Sequence, residues 1–168
     1  MADPPDGDYS RAPELEDLVE LCRRLNEADV KYVLIGGFAV ILHGFARGTK
    51  DIDLLVDSSA QNVAKLRRAL SYLPDNAVAE VEDDEMERYA VVRVADEIVV
   101  DLMAKACGVA YEEAVRSGGL EPFDLEGVEI PLASKQLLIR LKDTVRPADA
   151  MDTQYLRMRI AEESEDVG

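Results

Sequence analysis

Apolar residues recur at Leu15, Leu18, Val19, Cys22, Leu25 and Ala28. That is the three-and-four spacing of one helix face, and Pro13 suits its start. The period then changes. Tyr32-Val33-Leu34-Ile35 is an unbroken β-type run and reads as a buried strand. Gly36-Gly37 breaks it, and residues 38–43 are long enough for a short helix ending at Gly44. Asp51–Val56 predicts a second strand. Asp57-Ser58-Ser59 offers N-cap chemistry to a helix with Val63, Leu66, Leu70 and Leu73 inward and Lys65, Arg67 and Arg68 outward, stopped by Pro74. Residues 89–94 and 98–103 read as strands joined by a hairpin turn at Ala95-Asp96-Glu97. A short helix over 110–116 is ended by Gly118-Gly119. A second hairpin follows, Phe123–Leu125 and Val128–Ile130 around Glu126-Gly127. Ser134 caps a helix with Leu137, Leu138 and Leu141 inward, and Pro147 opens a last helix through Tyr155, Leu156 and Ile160.

This order predicts an α+β fold with α/β character: one mixed central sheet flanked by helices, with further helices at the C-terminal end. The expected organisation is a mobile N-terminal tail over 1–12, a single domain over 13–163, and a frayed acidic tail over 164–168.

Composition narrows the function classes. The 168 residues are 48% hydrophobic and 32% charged, an ordinary globular mixture. Nineteen Lys and Arg against 35 Asp and Glu give a net charge of −16. Such a field repels polyanions at long range, which disfavours extended nucleic acid as a partner. Lys135, Arg140, Lys142, Arg146, Arg157 and Arg159 nevertheless concentrate positive charge in the C-terminal helices, so a tRNA end stays open as a partner. Cys22 and Cys107 form no CxxC and suggest neither a disulfide framework nor a zinc site; Cys22 reads as a buried free thiol. The N-terminus lacks a basic segment followed by an apolar one, and no apolar run reaches the roughly 20 residues of a membrane helix. The expectation is a cytoplasmic protein with no membrane partner. Residues 80–87 hold six acids in eight; without the spacing of a calcium loop they read as a solvated face.

The chemistry concentrates around Asp51 and Asp53. Alternation puts both on one face of their strand, with Cα atoms roughly 6.5–7 Å apart. Like charges so placed repel unless a cation sits between them, and a hard ion with oxygen ligands, Mg²⁺ above all, is the natural partner. Asp101 is a third acid inside an apolar strand. If the two strands are neighbours, three carboxylates converge, enough for two divalent ions about 3.5–4 Å apart, the arrangement used for in-line displacement at phosphorus. A strand, two glycines and a helix start would present backbone N–H groups to an anion. Each feature has a plainer reading: a glycine pair as a turn, strand-end acids as caps, Asp101 as the partner of a basic residue. Asp-x-Asp also occurs in sugar-nucleotide glycosyltransferases, although the upstream glycine pair does not belong to that signature.

Taken together, Ile35-Gly36-Gly37, a thirteen-residue spacer, Asp51-Ile52-Asp53 and Val100-Asp101-Leu102 resemble the nucleotidyltransferase superfamily related to DNA polymerase beta. Arg47-Gly48-Thr49-Lys50-Asp51 is similar to the Arg-x-Thr-x-Asp segment of a small bacterial and archaeal branch that includes abortive-infection-type toxins. Lys142, Arg146 and Asp149 fall where that branch carries Lys, Arg and Asp in its C-terminal helices, and Ala148 stands where it often has Lys. The resemblance covers residues 30–155. It implies a nucleotidyltransferase fold and transfer of a nucleoside monophosphate from an NTP to an acceptor, with two Mg²⁺ ions or Mn²⁺ in their place. It also implies site roles. Asp51 and Asp53 would bind both metals, while Asp101 would bind the catalytic one and help deprotonate the acceptor. Gly36, Gly37, Arg47, Thr49, Lys142 and Arg146 would contact the nucleotide. Outside that role Lys142 reads as an exposed helix lysine, and His43 as structural. The acceptor (a small molecule, a protein side chain or a tRNA end) stays open, as do an antitoxin partner and a nucleotide-binding module with little turnover.

Overall fold

The computed structural model describes residues 10–142 and 147–167. The stripe of α1 (Leu15–Glu27) is buried through Leu18, Val19, Leu21, Cys22 and Leu25. Asp17 closes its first turn by accepting the Glu14 backbone N–H at 2.7 Å. All four residues of β1 (Tyr32–Ile35) are buried. The next helix, α2 (Gly36–Leu42), begins at the first glycine, two residues before the apolar run that predicted it. Strand β2 (Asp51–Val56) leads to α3 (Ala60–Leu70), whose first turn is capped by Ser59 Oγ accepting the Asn62 N–H at 3.2 Å. α3 stops at Leu70, ahead of Pro74, where the Ser71 hydroxyl donates to the Arg68 carbonyl at 2.7 Å.

The acidic stretch folds into a 3-10 turn (Ala77–Glu80) and the single turn α4 (Glu85–Arg88), anchored by buried Met86. Its acids are mostly exposed, and Asp83 and Glu82 pair with Arg67 and Arg88. The expected hairpin follows as β3 (Val92–Ala95) and β4 (Val99–Met103). Buried Asp96 organises its turn by accepting the N–H groups of Asp75, Ala77 and Glu97 at 2.7–3.0 Å. Residues 89–91 do not extend β3, and Tyr89 and Val91 are exposed. Then come the small hairpin β5 (Lys105–Ala106) and β6 (Val109–Ala110), α5 (Tyr111–Arg116), the hairpin β7 (Phe123–Leu125) and β8 (Val128–Ile130), α6 (Lys135–Leu141) and α7 (Pro147–Val167). The β5–β6 hairpin was not expected. Ser10 and Arg11 dock on the β3–β4 turn, with the Arg11 N–H donating to the Glu97 carbonyl at 3.0 Å.

The central sheet has the order β1-β2-β4-β3, with β2 and β4 parallel and the outer pairs antiparallel. It is the mixed sheet the sequence predicts, in an α+β fold. The outer edge of β1 is covered where Leu34 N–H donates to Pro131 O at 2.9 Å and Ala133 N–H to Leu34 O at 3.1 Å. α1 packs on α3, α2 on β1, β2 and α6, and α6 on α7. One core runs from Leu18 to Leu156. Cys22 lies in it, where burial pushes its thiol up to about 12. No described helix is long and apolar enough to cross a membrane.

Candidate active site

Ile52, Leu54, Leu55 and Val56 are fully buried, whereas Asp51 and Asp53 alternate toward a cleft of about 990 Å³. The sheet register completes the group. Asp53 lies directly beside Asp101 on the parallel neighbour β4 and beside Ile35 on β1. One oxygen from each of Asp51, Asp53 and Asp101 falls within 4.8 Å of the others, the only such acidic group among the described residues. The donor set is all carboxylate, which suits a hard cation rather than zinc or copper. The three side chains could hold such an ion.

The glycines are pressed against this cluster. Gly36 has φ +74°, and a Cβ there would overlap Asp53 Oδ2 and stand 2.8 Å from its Cβ and Cγ. A Cβ on Gly37 would meet Thr49 Oγ1 at 2.8 Å and the Arg47 guanidinium carbon at 3.6 Å. Both positions therefore demand the absence of a side chain. Gly36→Ala is expected to lose about 1–2 kcal/mol from the left-handed backbone alone, and to displace the Asp53 carboxylate. Urea unfolding measures the first effect and divalent-ion titration the second; a variant unchanged in both would remove the role assigned to Gly36.

Between α2 and β2 the chain carries Arg47, Gly48, Thr49 and Lys50 along the cleft. The Thr49 hydroxyl donates to the Asp51 carbonyl at 3.0 Å, and Arg47 Nε donates to Gly48 O at 3.1 Å. α7 latches this segment: Phe45 stacks on Tyr155 with ring centroids 4.7 Å apart, and the Tyr155 hydroxyl donates to His43 O at 3.1 Å. Arg47 reaches Asp152 of α7 at 2.5 Å. Lys142 is not an exposed helix lysine. It caps α6, is buried, and places Nζ 3.0 Å from Asp152 and 3.3 Å from Asp149. Arg47, Asp152, Lys142 and Asp149 thus form one ion network along the cleft wall.

The structure therefore brings Gly36, Gly37, Arg47, Thr49, Asp51, Asp53, Asp101 and Lys142 into one cleft. Arg146 lies outside the described residues. His43 is buried away from the cleft, where its Nε2–H donates to Ala133 O at 2.8 Å and burial lowers its pKa. Two contributors escape sequence reasoning, Arg93 and Asp152. The Arg93 guanidinium donates from Nε and Nη2 to the two oxygens of Asp101, each at 3.0 Å, and lies 3.6 Å from Asp51 Oδ2. These bonds raise its already high pKa. The turn expected at Ala95-Asp96-Glu97 would set position 93 opposite 99; the hairpin is instead centred on Glu97, which pairs Arg93 with Asp101. Asp152 follows Asp149 by three on one helix face.

Two solved structures share the fold. A Thermotoga maritima protein assigned to the nucleotidyltransferases (TM1012) has a TM-score of 0.51 and 17% identity, with 91% of this chain and 89% of that one covered. The lincosamide antibiotic adenylyltransferase LnuA, bound to lincomycin, has a TM-score of 0.60 and 20% identity, with 88% and 98% covered. No curated protein matches the sequence. A family model described as "Nucleotidyltransferase of unknown function (DUF6036)" matches residues 13–99, a span that carries the glycine pair, Asp51 and Asp53. The chain belongs to this nucleotidyltransferase family.

Proposed function

We propose that the enzyme is magnesium-dependent and moves a nucleoside monophosphate from an NTP to a small-molecule acceptor: the acceptor oxygen bonds to the α-phosphorus, the α–β anhydride bond breaks, and pyrophosphate leaves. The observation that carries this reading is the convergence of Asp51, Asp53 and Asp101 within 4.8 Å, beside Gly36, whose missing side chain admits the Asp53 carboxylate, and Gly37, whose missing side chain admits Thr49. Asp51, Asp53 and Asp101 would hold Mg²⁺, or Mn²⁺ in its place. The ion would neutralise charge developing on the transferred phosphoryl group. Gly36 and Gly37 would let the triphosphate approach the backbone, with Thr49 and Arg47 beside it. Lys142 would face the β- or γ-phosphate as a compact positive charge. Arg146 joins the nucleotide contacts by resemblance. Asp101 would assist removal of the acceptor proton.

A small acceptor is favoured because four of the six basic residues singled out in the C-terminal helices are answered internally. Lys135 meets Glu163 at 3.0 Å, Arg140 meets Glu113 at 3.2 Å, Arg159 meets Glu162 at 3.0 Å, and Lys142 meets Asp149 and Asp152. In a chain of net charge −16 this leaves little to attract a polyanion. The adenylyltransferase with the same fold is itself bound to a small molecule, lincomycin. A tRNA end, a protein side chain, a toxin role with an antitoxin, and a cytoplasmic setting rest on the sequence and its motif resemblance.

Incubation with α-³²P-labelled NTPs, Mg²⁺ and a small-molecule fraction of cell extract is expected to yield a labelled low-mass product that EDTA suppresses. Label appearing in RNA or protein would reassign the acceptor. Nucleotide binding without any label transfer would leave a binding module in place of the proposed turnover.

A further inference from the structure

Arg93 stands directly opposite Asp101 in the β3–β4 register, so both side chains rise from the same face of the sheet. Its planar fork takes both oxygens of Asp101, a carboxylate whose side chain is 7% exposed, and Nη2 also approaches Asp51. This is more than a surface ion pair. The guanidinium is a permanent positive charge seated on one of the three carboxylates that could hold a cation, and within reach of a second. A divalent ion bridging Asp51, Asp53 and Asp101 must share Asp101 with that charge or displace it. The repulsion acts in a half-buried cleft where water screens it poorly.

Resting on the metal-dependent reading above, we propose that Arg93 is an internal competitor for the cation site: it lowers the affinity of the nucleotide-free protein for divalent ions, so that the ion enters together with the nucleotide. Phosphate oxygens supply the ligands and negative charge that offset the guanidinium once the nucleotide is present. The freed or shared fork remains on the cleft wall, where Arg93 is a lining residue. Arg93 is thus a positioning residue, acting on the cation through Asp101.

Mn²⁺ titration of the full chain, with free Mn²⁺ followed by EPR, tests this with and without α,β-methylene-ATP. Without nucleotide, Arg93→Gln is expected to bind Mn²⁺ about tenfold more tightly than the parent, a size set by removing one unit charge beside the ion. Arg93→Lys, which keeps the charge and loses the fork, is expected to fall between them. With the analogue, the gap between parent and Arg93→Gln narrows. Asp53→Asn abolishes the binding in each case. Circular dichroism verifies the fold, and Arg93→Lys carries the test if Arg93→Gln does not fold. Equal affinity in parent and variant, with binding still sensitive to Asp53, would overturn the role of Arg93 and leave the metal reading intact. Weaker binding in Arg93→Gln would make Arg93 an orienter of Asp101 and overturn the proposal. Mn²⁺ binding insensitive to Asp53 would overturn both.

Discussion

Asp53→Asn is expected to reduce nucleotidyl transfer by about three orders of magnitude without lowering stability. Asp53 sits between its neighbours, lateral to Asp101 across the parallel pair and two residues from Asp51 on the same face. Asparagine keeps the shape and one acceptor oxygen but removes the charge that would draw in a cation in the proposed scheme. A bound metal supplies several kcal/mol of transition-state stabilisation. Losing about 4 kcal/mol of it is roughly a thousandfold, at about 1.36 kcal/mol per tenfold. Stability is expected to change little, because the repulsion Asp53 meets from the two neighbouring carboxylates is offset by the Arg93 guanidinium beside them. Label transfer at saturating NTP and Mg²⁺, read beside a urea unfolding curve, separates the two effects. A fully active variant would remove Asp53 from the proposed metal site; an inactive but unfolded one would move its role to the fold.

The site was legible where its chemistry is written in local sequence. Gly36-Gly37 and Asp51-Ile52-Asp53 lie on adjacent elements, and two-residue alternation alone puts both acids on one face. Asp101 was found because an acid inside an apolar run is unusual, but its convergence needed the parallel β2–β4 pairing, which local pattern does not specify. Arg93 was lost for the opposite reason. Its hairpin was recognised, yet the expected turn lies one residue early, and that shift sets position 93 opposite 99 instead of Asp101. Cys107-Gly108 shows a similar limit. It occupies a two-residue turn with φ +46° and +79°, like Glu126-Gly127 with +52° and +83°. The second hairpin was visible because its strands are three residues long and flank a plain Xaa-Gly turn; the first has two-residue strands. Lys142 illustrates burial that periodicity cannot show. Its partners lie seven and ten residues further along the chain, on α7, and only packing of α6 on α7 brings them together.

That packing sets the second large effect. Asp152→Ala is expected to destabilise the protein by about 3 kcal/mol, the lower end of the range for removing one partner from a buried ion pair. Asp152 is 1% exposed and receives both the Arg47 guanidinium at 2.5 Å and Lys142 Nζ at 3.0 Å. Lys142 retains Asp149 at 3.3 Å, and Arg47, 26% exposed, can turn part of its charge to water. Both retreats hold the cost below the upper end of that range. The functional effect is distinct from that of Asp53. Asp152 touches no carboxylate of the metal cluster in the proposed scheme; it fixes the two cations that would meet the triphosphate. Loosened, they bind nucleotide less well, so KM for the NTP should rise more than kcat falls, which is the pattern of lost uniform binding. Asp152→Asn, keeping an acceptor oxygen without the charge, should lie between parent and alanine variant on both measures. An alanine variant as stable as the parent would mean that the Arg47–Asp152–Lys142 network contributes nothing to the fold. An unchanged KM would separate that network from the nucleotide, leaving Arg47 and Lys142 as a clasp between the α2–β2 segment and α7.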